Sequence, residues 1–413
     1  MDFGLSDEQK MLLDTVRRFI QQELQPLEQG IEDSGALPRE AALAVHEKAK
    51  ALGLWAMNMP ESVGGGGLSA VDRILCEEQF GHTSDILIRR AFGNVYEPLL
   101  ECRGEQRARW LEPAVRGERT CAIAITEPGA GSDAAGIQTH AKLREDGCWV
   151  LNGAKHFISD GEWSDFFLVS ARTGETERRA APSSGSAPSG GASASERGRT
   201  GPEISMFMVD KGLPGFTVGK DQKMMGLRGT PHVELFFDGV VLEPLALLAE
   251  RGQGFKLAMG ALNVVRLAQV GARAVGKASH VLEQMTAYAT ERRQFGQKIG
   301  DFQMIQTMLA DSVIEVNAAR WMVLQAAWKL DQGLDAREDI AMVKVHAAET
   351  LGRVVDRAVQ LFGGMGFCKE LPIERYYRDA RIYRIFDGTS EIHRGVIAKQ
   401  VMKKGAALHD LHR

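Results

Sequence analysis

Helical periodicity fills the start of this chain, breaks off near Gly117 and returns only after Gly254, and that double switch confines the fold to a helix, sheet, helix order. Ser6 with Gln9 makes a capping box ahead of Met11, Leu12, Thr15, Val16 and Phe19 at helical spacing. The punctuation "MPESVGGGGLS" separates this start from a second helical run beginning near Ala70. From "GERTCAIAITEPGAGSD" the texture changes. "CAIAIT", "CWVLNGAKHFIS", "FFLVSA", "ISMFMV" and "VELFF" are strand-length apolar or alternating runs, and Asn152-Gly153 predicts a tight turn within the second of them. Thr173 to Pro202 is rich in Ser, Gly, Ala and Pro, too poor in apolar surface to order itself, and reads as a solvated hairpin insertion.

Beyond Gly254 the long periods return. Phe302, Ile305, Leu309, Val313, Val316, Val323 and Leu330 fall on one stripe of a helix that Asp301 would cap and Gly333 would stop. Similar stripes run through Phe255–Ala289 and Ala336–Phe362, so three or four long helices in succession predict a bundle. At 413 residues the chain is long enough for several cores. The expected division is a helical domain over 1–118, a β-domain over 119–245 carrying the insertion at about 173–202, and a helical bundle over 246–413: mainly α with a central β-domain.

The formal charge of −4 offers no basic face for a phosphate backbone, so nucleic acid is not an expected partner. No run approaches the ~18 apolar residues of a membrane span, and "MDFGLSDEQK" lacks both a signal peptide's apolar stretch and an Arg-rich transit pattern, so a cytoplasmic location is expected. Five scattered cysteines without a C-x-x-C pair indicate neither a disulfide framework nor a zinc site, and no H-E-x-x-H pattern occurs, so no metal is expected. His156 and His393 read as surface or packing residues.

Three short stretches invite a ligand. "TEPGAGSD" (Thr126 to Asp133) follows an apolar strand with a glycine-containing turn whose N–H groups can converge on an anion, as a phosphate-bearing cofactor would require; an ordinary turn is the plain alternative. "QLFGGMGF" (Gln360 to Phe367) ends a helix in glycines that let a ligand approach the backbone, or merely cap it. "ERRQFGQKI" (Glu291 to Ile299) joins a basic pair, an aromatic and a glycine at a helix end. The spacing Gly65-x-Gly67-x-x-Ala70 lacks the preceding strand that a dinucleotide fingerprint needs.

Taken in order, "PESVGGGGLS", "CAIAITEPGAGSD", "LNGAKHFIS", "ERRQFGQKIGDFQMIQ", "QLFGGMGF" and "RYYRDARIYRIFDGTSEIHR" closely resemble the FAD-dependent acyl-CoA dehydrogenase family over nearly the whole chain. The resemblance implies a small β-barrel-like middle domain, a C-terminal four-helix bundle, a homodimer or homotetramer, and noncovalent FAD between β-domain and bundle. It implies that Ile125 and Thr126 hold the pyrimidine side of the flavin, that Phe157 and Ser159 flank the ring, and that Gly131 and Ser132 meet pyrophosphate or pantetheine. Arg292, Phe295, Gln360 and Gly364 match positions through which a second subunit grips the adenosine diphosphate end, and a guanidinium suits two phosphate oxygens. Thr389 belongs with the cofactor contacts. Gly388, Asn263 and Arg266 lie on the substrate path, Arg266 holding the loop that bears the base, with Arg394 orienting the same segment.

The implied chemistry is α,β-dehydrogenation of an acyl-CoA thioester to the 2-enoyl-CoA, with electrons passed to an electron-transfer flavoprotein. A carboxylate removes the α-proton while hydride leaves the β-carbon for flavin N5; desolvation raises the base's pKa, and hydrogen bonds, one from the base's own backbone N–H, stabilise the enolate-like transition state. Most of the family carries Glu where this chain has Asp387, and the branches that lack it place Glu within "GALNVVRL", at the position of Val265. Asp387 is thus the only matched base, one methylene shorter. Its plain alternative is a cap for "GTSE", a role Thr389 or Ser390 can fill instead. The substitution also leaves open a flavin oxidase of a small carbon acid such as a nitroalkane, and an acyl-CoA-binding protein with an impaired base. Arg89 and Arg90 read as a solvated basic pair on a helix; an arginine pointing inward would instead favour a carboxylated acyl tail.

Overall fold

The computed structural model describes residues 4–93, 95–177 and 200–405. The first unit contains α1 (Asp7–Phe19), α2 (Glu28–Ser34), α3 (Arg39–Ala51), α4 (Ala70–Phe80), α5 (Asp85–Phe92) and α6 (Glu112–Val115). The Ser6 hydroxyl accepts from the Gln9 N–H while the Gln9 side chain answers the Ser6 N–H, so the capping box forms as expected. Leu13, Val16, Phe19, Leu24, Phe80, Leu87 and Phe92 close this core.

The middle unit contains β1 (Cys121–Ala124), β2 (His140–Leu143), β3 (Trp149–Ser159), β4 (Phe166–Glu177), β5 (Thr200–Asp210), β6 (Phe216–Asp221), β7 (His232–Leu242) and β8 (Leu247–Leu248). They make one eight-stranded sheet in the order β6-β7-β3-β2-β4-β5-β8, with β1 parallel to β4. "FFLV" is apolar without alternation because both faces of β4 are covered. Phe166 and Leu168 pack with Trp110, Leu111 and Ala258 of the helical units, whereas Phe167 and Val169 pack with Phe207, Val209 and Leu235. Each such burial contributes roughly 1.5–3 kcal/mol.

Asn152-Gly153 is not a turn. β3 runs straight through it, with the register slipping between Leu151 and Gly153, and Gly153 at φ 140 leaves no room for a Cβ, which would lie 2.5 Å from Thr139 Oγ1. The expected turn signal marks a bulge instead. The root of the insertion is strand: β4 and β5 pair down to Glu177 and Thr200, and 178–199 lie outside the described residues.

The last unit is the bundle: α7 (Gly254–Val265), α8 (Arg273–Glu291), α9 (Gln303–Asp331), α10 (Arg337–Phe362), α11 (Gly364–Phe367), α12 (Ile373–Arg381) and α13 (Ser390–Lys404). The stripe expected over Phe255–Ala289 is interrupted by a π-helical stretch, Arg266–Ala272, that rotates the chain between α7 and α8. α9 starts after Phe302 rather than on an Asp301 cap, because Asp301 is taken up in the 3₁₀ turn Ile299–Asp301. It ends at Asp331, two residues short of Gly333. Of its stripe, Val316 and Val323 are core, while Val313 and Leu330 remain exposed. The five cysteines are free, and none of the described helices is long and apolar enough to cross a membrane.

Candidate active site

The segment bearing Asp387 is built between two helices. α12 ends at Arg381, a 3₁₀ turn follows, and the chain then takes two left-handed residues, Asp387 at φ 53 and Gly388 at φ 94, before Thr389 caps α13 by accepting from the Ile392 N–H at 3.2 Å. Thr389, not Asp387, performs the capping. A Cβ on Gly388 would sit 2.8 Å from His393 Nε2, so only glycine fits this corner. The Asp387 carbonyl accepts from Arg266 Nε at 2.7 Å and lies 3.2 Å from His393 Nε2, while Arg266 Nη1 donates to Asn263 Oδ1 at 2.9 Å. Asn263, Arg266 and the Asp387 carbonyl are therefore joined in one hydrogen-bonded group beside Gly388. His393, expected to be inert packing, is a buried part of it, its pKa pushed down to about 4 by burial, so it acts as a neutral ring.

Burial pushes the Asp387 carboxyl up from the usual carboxylate range, against the opposing pull of Arg266, Lys344 and Arg89. Lys344 on α10 is fully buried, its Nζ has no hydrogen-bond partner among the described residues, and burial lowers its pKa to about 8. Sequence reading missed it, because a lone lysine in a long helix looks solvated. Arg394 reaches only the Glu349 carboxylate, at 3.5 Å, on the exposed side. Val265, at the position where other branches of the family place Glu, is buried.

The segment "TEPGAGSD" follows β1 after Ile125. Lys155 on β3, with no exposed surface, donates from Nζ to the Ile125 carbonyl at 2.9 Å and to Glu127 Oε1 at 2.8 Å; the Glu127 carboxylate also accepts the Gln138 and Thr139 N–H groups. Glu127 and Ala130 exchange backbone hydrogen bonds, so "TEPGAGSD" is a closed turn. Its glycines are not forced by crowding: space above Gly129 and Gly131 is open, and Ser132 is exposed beside them. Across from it β3 bulges between Lys155 and Ile158, which turns Phe157 (φ 57) outward, half exposed, with Ser159 two residues on. In the chain itself this aromatic packs only edge-on against the His156 ring, with centroids 4.0 Å apart, and leaves its outer face open.

Arg292, Phe295, Gln360 and Gly364 gather at one end of the bundle, where Tyr288 of α8 stacks on Phe362 of α10 with ring centroids 4.3 Å apart. All four are exposed, and Phe295 is 94% so at φ 51.

The expectation of a solvated Arg89–Arg90 pair is wrong for both. Arg90 is buried, forks onto Asp160 with Nη1 2.7 Å from Oδ2, and lies 4.2 Å over the Trp163 ring, which ties α5 to the β-domain. Arg89 donates from Nε to Asp85 at 2.6 Å. Asp85, despite burial, is held down to about 2 by Arg89 and Arg273.

The chain matches the acyl-CoA dehydrogenase N-terminal domain over residues 6–118, the middle domain over 122–240 and the C-terminal domain over 252–402. The chain belongs to the acyl-CoA dehydrogenase family. It is 35% identical to acryloyl-CoA reductase (NADH) of Anaerotignum propionicum, across 98% of this chain and 97% of that protein, and 35% identical to benzylmalonyl-CoA dehydrogenase of Aromatoleum aromaticum, across 97% and 100%. The solved FAD complex of PigA superposes with a TM-score of 0.83 at 28% identity, covering 98% of this chain and 100% of that one. As a member of that family, the protein is an FAD oxidoreductase. Its own residues fit the group: open space over Gly129 and Gly131, the outward Phe157, and a flavin segment locked from behind by Lys155 and Glu127.

A second feature of the acyl-CoA dehydrogenase was not seen in the sequence. Between α4, α5 and the π-helical stretch lies a cleft lined by Asn58, Arg73, Glu77, Glu97, Gln269 and Arg273 as well as apolar side chains that include Phe92, Tyr96 and Val265. Arg73 and Glu77 stand four residues apart on α4, on the side that also carries Ile74, Cys76 and Phe80, and that mixture was the available sign.

Proposed function

We propose that this protein dehydrogenates an acyl-CoA thioester between the α and β carbons, with Asp387 as the base that takes the α-proton. The observation that carries the reading is the state of Asp387: relieved of capping by Thr389, held through its carbonyl by Arg266 and His393, with a carboxyl whose pKa burial raises. A raised pKa narrows the gap to a weakly acidic carbon acid. The Asp387 N–H would polarise the thioester carbonyl whatever its side chain does. FAD, when bound, supplies the acceptor for the hydride that leaves the β-carbon. Ile125, Thr126, Gly131, Ser132, Phe157, Ser159 and Thr389 would hold it in one subunit, and Arg292, Phe295, Gln360 and Gly364 of a neighbouring copy would complete the site.

The electron partner we infer is an electron-transfer flavoprotein, and the direction of flux depends on that partner's potential. The likeness to acryloyl-CoA reductase accords with the same groups running in reverse, Asp387 then giving its proton to the α-carbon. Relatives named for acryloyl and benzylmalonyl thioesters leave the acyl group open.

The test is anaerobic titration of the yellow holoenzyme with a panel of acyl-CoA thioesters, beside Asp387→Asn. Bleaching of the flavin by at least one thioester, lost in the variant, is expected. A protein that binds thioesters without bleaching, or bleaches only with nitroalkanes, would overturn the proposal.

A further inference from the structure

Two helices from different units meet backbone to backbone. Gly81 closes α4 against α8: a Cβ there would lie 2.5 Å from both the Arg273 carbonyl oxygen and the Lys277 nitrogen, and a Cβ on Gly276 would run into the Glu78 carbonyl. Glycine on both sides permits the approach and fixes it. The next residue, His82, is held as well, since its N–H donates to the Gln79 carbonyl at 3.0 Å and its own carbonyl accepts from Gln25 Nε2 at 3.1 Å. Its ring is thereby set against α8, where His280 and Glu283 share one face three residues apart.

The three side chains converge. The His82 and His280 rings stack with centroids 4.9 Å apart, Glu283 Oε2 lies 3.8 Å from His280 Nδ1, and one ligand-capable atom from each residue falls within 4.8 Å of the other two. A tetrahedral zinc site with bonds of about 2.0–2.1 Å sets its ligand atoms roughly 3.4 Å apart, so side-chain rotation closes what remains. Neither imidazole makes a hydrogen bond among the described residues, so no other polar partner accounts for where the rings stand. Both rings are partly buried, while Glu283 is exposed and free to turn.

The surroundings tolerate a further positive charge. Arg17, Lys277 and Arg320 lie within electrostatic reach of His82, and Lys277 and Arg375 of His280. Arg320 is paired with Glu78 and Arg375 with Glu28, each at 2.8 Å, and Arg17 donates to Gln79. Lys277 lies 5.0 Å over the Tyr376 ring, and Asp379 opposes its charge.

We propose that His82, His280 and Glu283 bind one zinc-class divalent cation that clips the first helical unit to the bundle. Two imidazoles and one carboxylate are a borderline nitrogen–oxygen set, which suits zinc better than magnesium or calcium. A groove between α8 and α9 runs past Glu283 along Leu282, Thr286 and Val313, giving the ion an entry and a water the fourth position. The role is structural, since none of the three belongs to the proposed base or flavin contacts. The sequence shows no compact metal motif because one ligand comes from the first unit and two from the bundle.

The test uses the full-length, tag-free FAD-loaded protein, stripped of metal by a chelator and titrated with zinc chloride in a calorimeter. One equivalent is expected to bind with a Kd of about 10 µM or tighter and to raise the melting temperature. His82→Ala and His280→Ala are each expected to weaken binding at least about tenfold, the loss that follows removal of even a supporting partner of a metal ligand. His82→Ala is the decisive variant, because only a site shared between the two units needs that ring. Should either variant fail to fold, X-ray absorption at the zinc edge of the wild type counts the imidazole ligands, and two are expected. Weaker binding, adventitious binding that survives the loss of either histidine, or a spectrum without two imidazoles would overturn the inference.

Discussion

At the scale of single residues, the proposed base is a short carboxylate whose surroundings set its pKa. Arg266 has two effects on Asp387: its Nε holds the carbonyl at 2.7 Å, and its charge favours the carboxylate form. The sign is definite. Burial raises the Asp387 pKa, so the active carboxylate emerges only above that value and flavin reduction should rise with pH through it. Removing the Arg266 cation raises the pKa further, so Arg266→Gln should move the acid limb of the rate profile to higher pH and lower the rate below the plateau. A profile with an unmoved limb would show that Arg266 has no charge effect on the base. Asp387 itself was legible in the sequence because its neighbours "IFDGTSEI" carry the motif. His393, Lys344 and the ion-paired state of Arg89 and Arg90 were not, since a charged residue on a helix face looks the same in sequence whether it faces water or an ion-pair partner.

At the scale of elements, the segment proposed to hold the flavin depends on β3 more than on its own glycines. Lys155 pins the Ile125 carbonyl and the Glu127 carboxylate, and Glu127 in turn fixes the Gln138 and Thr139 amides, so three stretches of chain share one buried salt bridge. Lys155→Met should leave Glu127 buried without a cation, at a cost of roughly 3–5 kcal/mol in stability, and should weaken FAD retention at least tenfold, read by melting and by flavin release on dilution. FAD retention equal to wild type would remove the lock from the account. Strand runs and long helices were readable because their periods differ. The π-helical stretch Arg266–Ala272 and the bulge at Gly153 were not, because each is a departure from period that sequence patterns average away.

At the scale of the whole molecule, the bundle shows more apolar surface than a lone chain keeps. Met304, Ile314 and Trp328 lie on one side of α9, each at least half exposed, and Phe295 and Phe367 project from the end that carries Arg292 and Gln360. We expect a homodimer or homotetramer by analytical ultracentrifugation, and Arg292→Ala should weaken FAD binding without altering the fold of its own subunit. A monomer that retains FAD fully would contradict a site shared between copies. The helix, sheet, helix order was plain in the sequence because the hydrophobic period changes twice along the chain. The cleft between α4, α5 and the π-helical stretch was hidden because its walls come from the first and last units, residues 57 to 97 and 265 to 273, which no local pattern connects. The central claim remains that Asp387 takes the α-proton. The most direct measurement is stopped-flow flavin reduction under anaerobic conditions with a reactive thioester and its α-deuterated form, in wild type and in Asp387→Asn. The account predicts a primary isotope effect in the wild type and a loss of roughly 10²–10⁴-fold in the variant with thioester binding retained; an Asp387→Asn enzyme that reduces its flavin within a few-fold of wild type would contradict it.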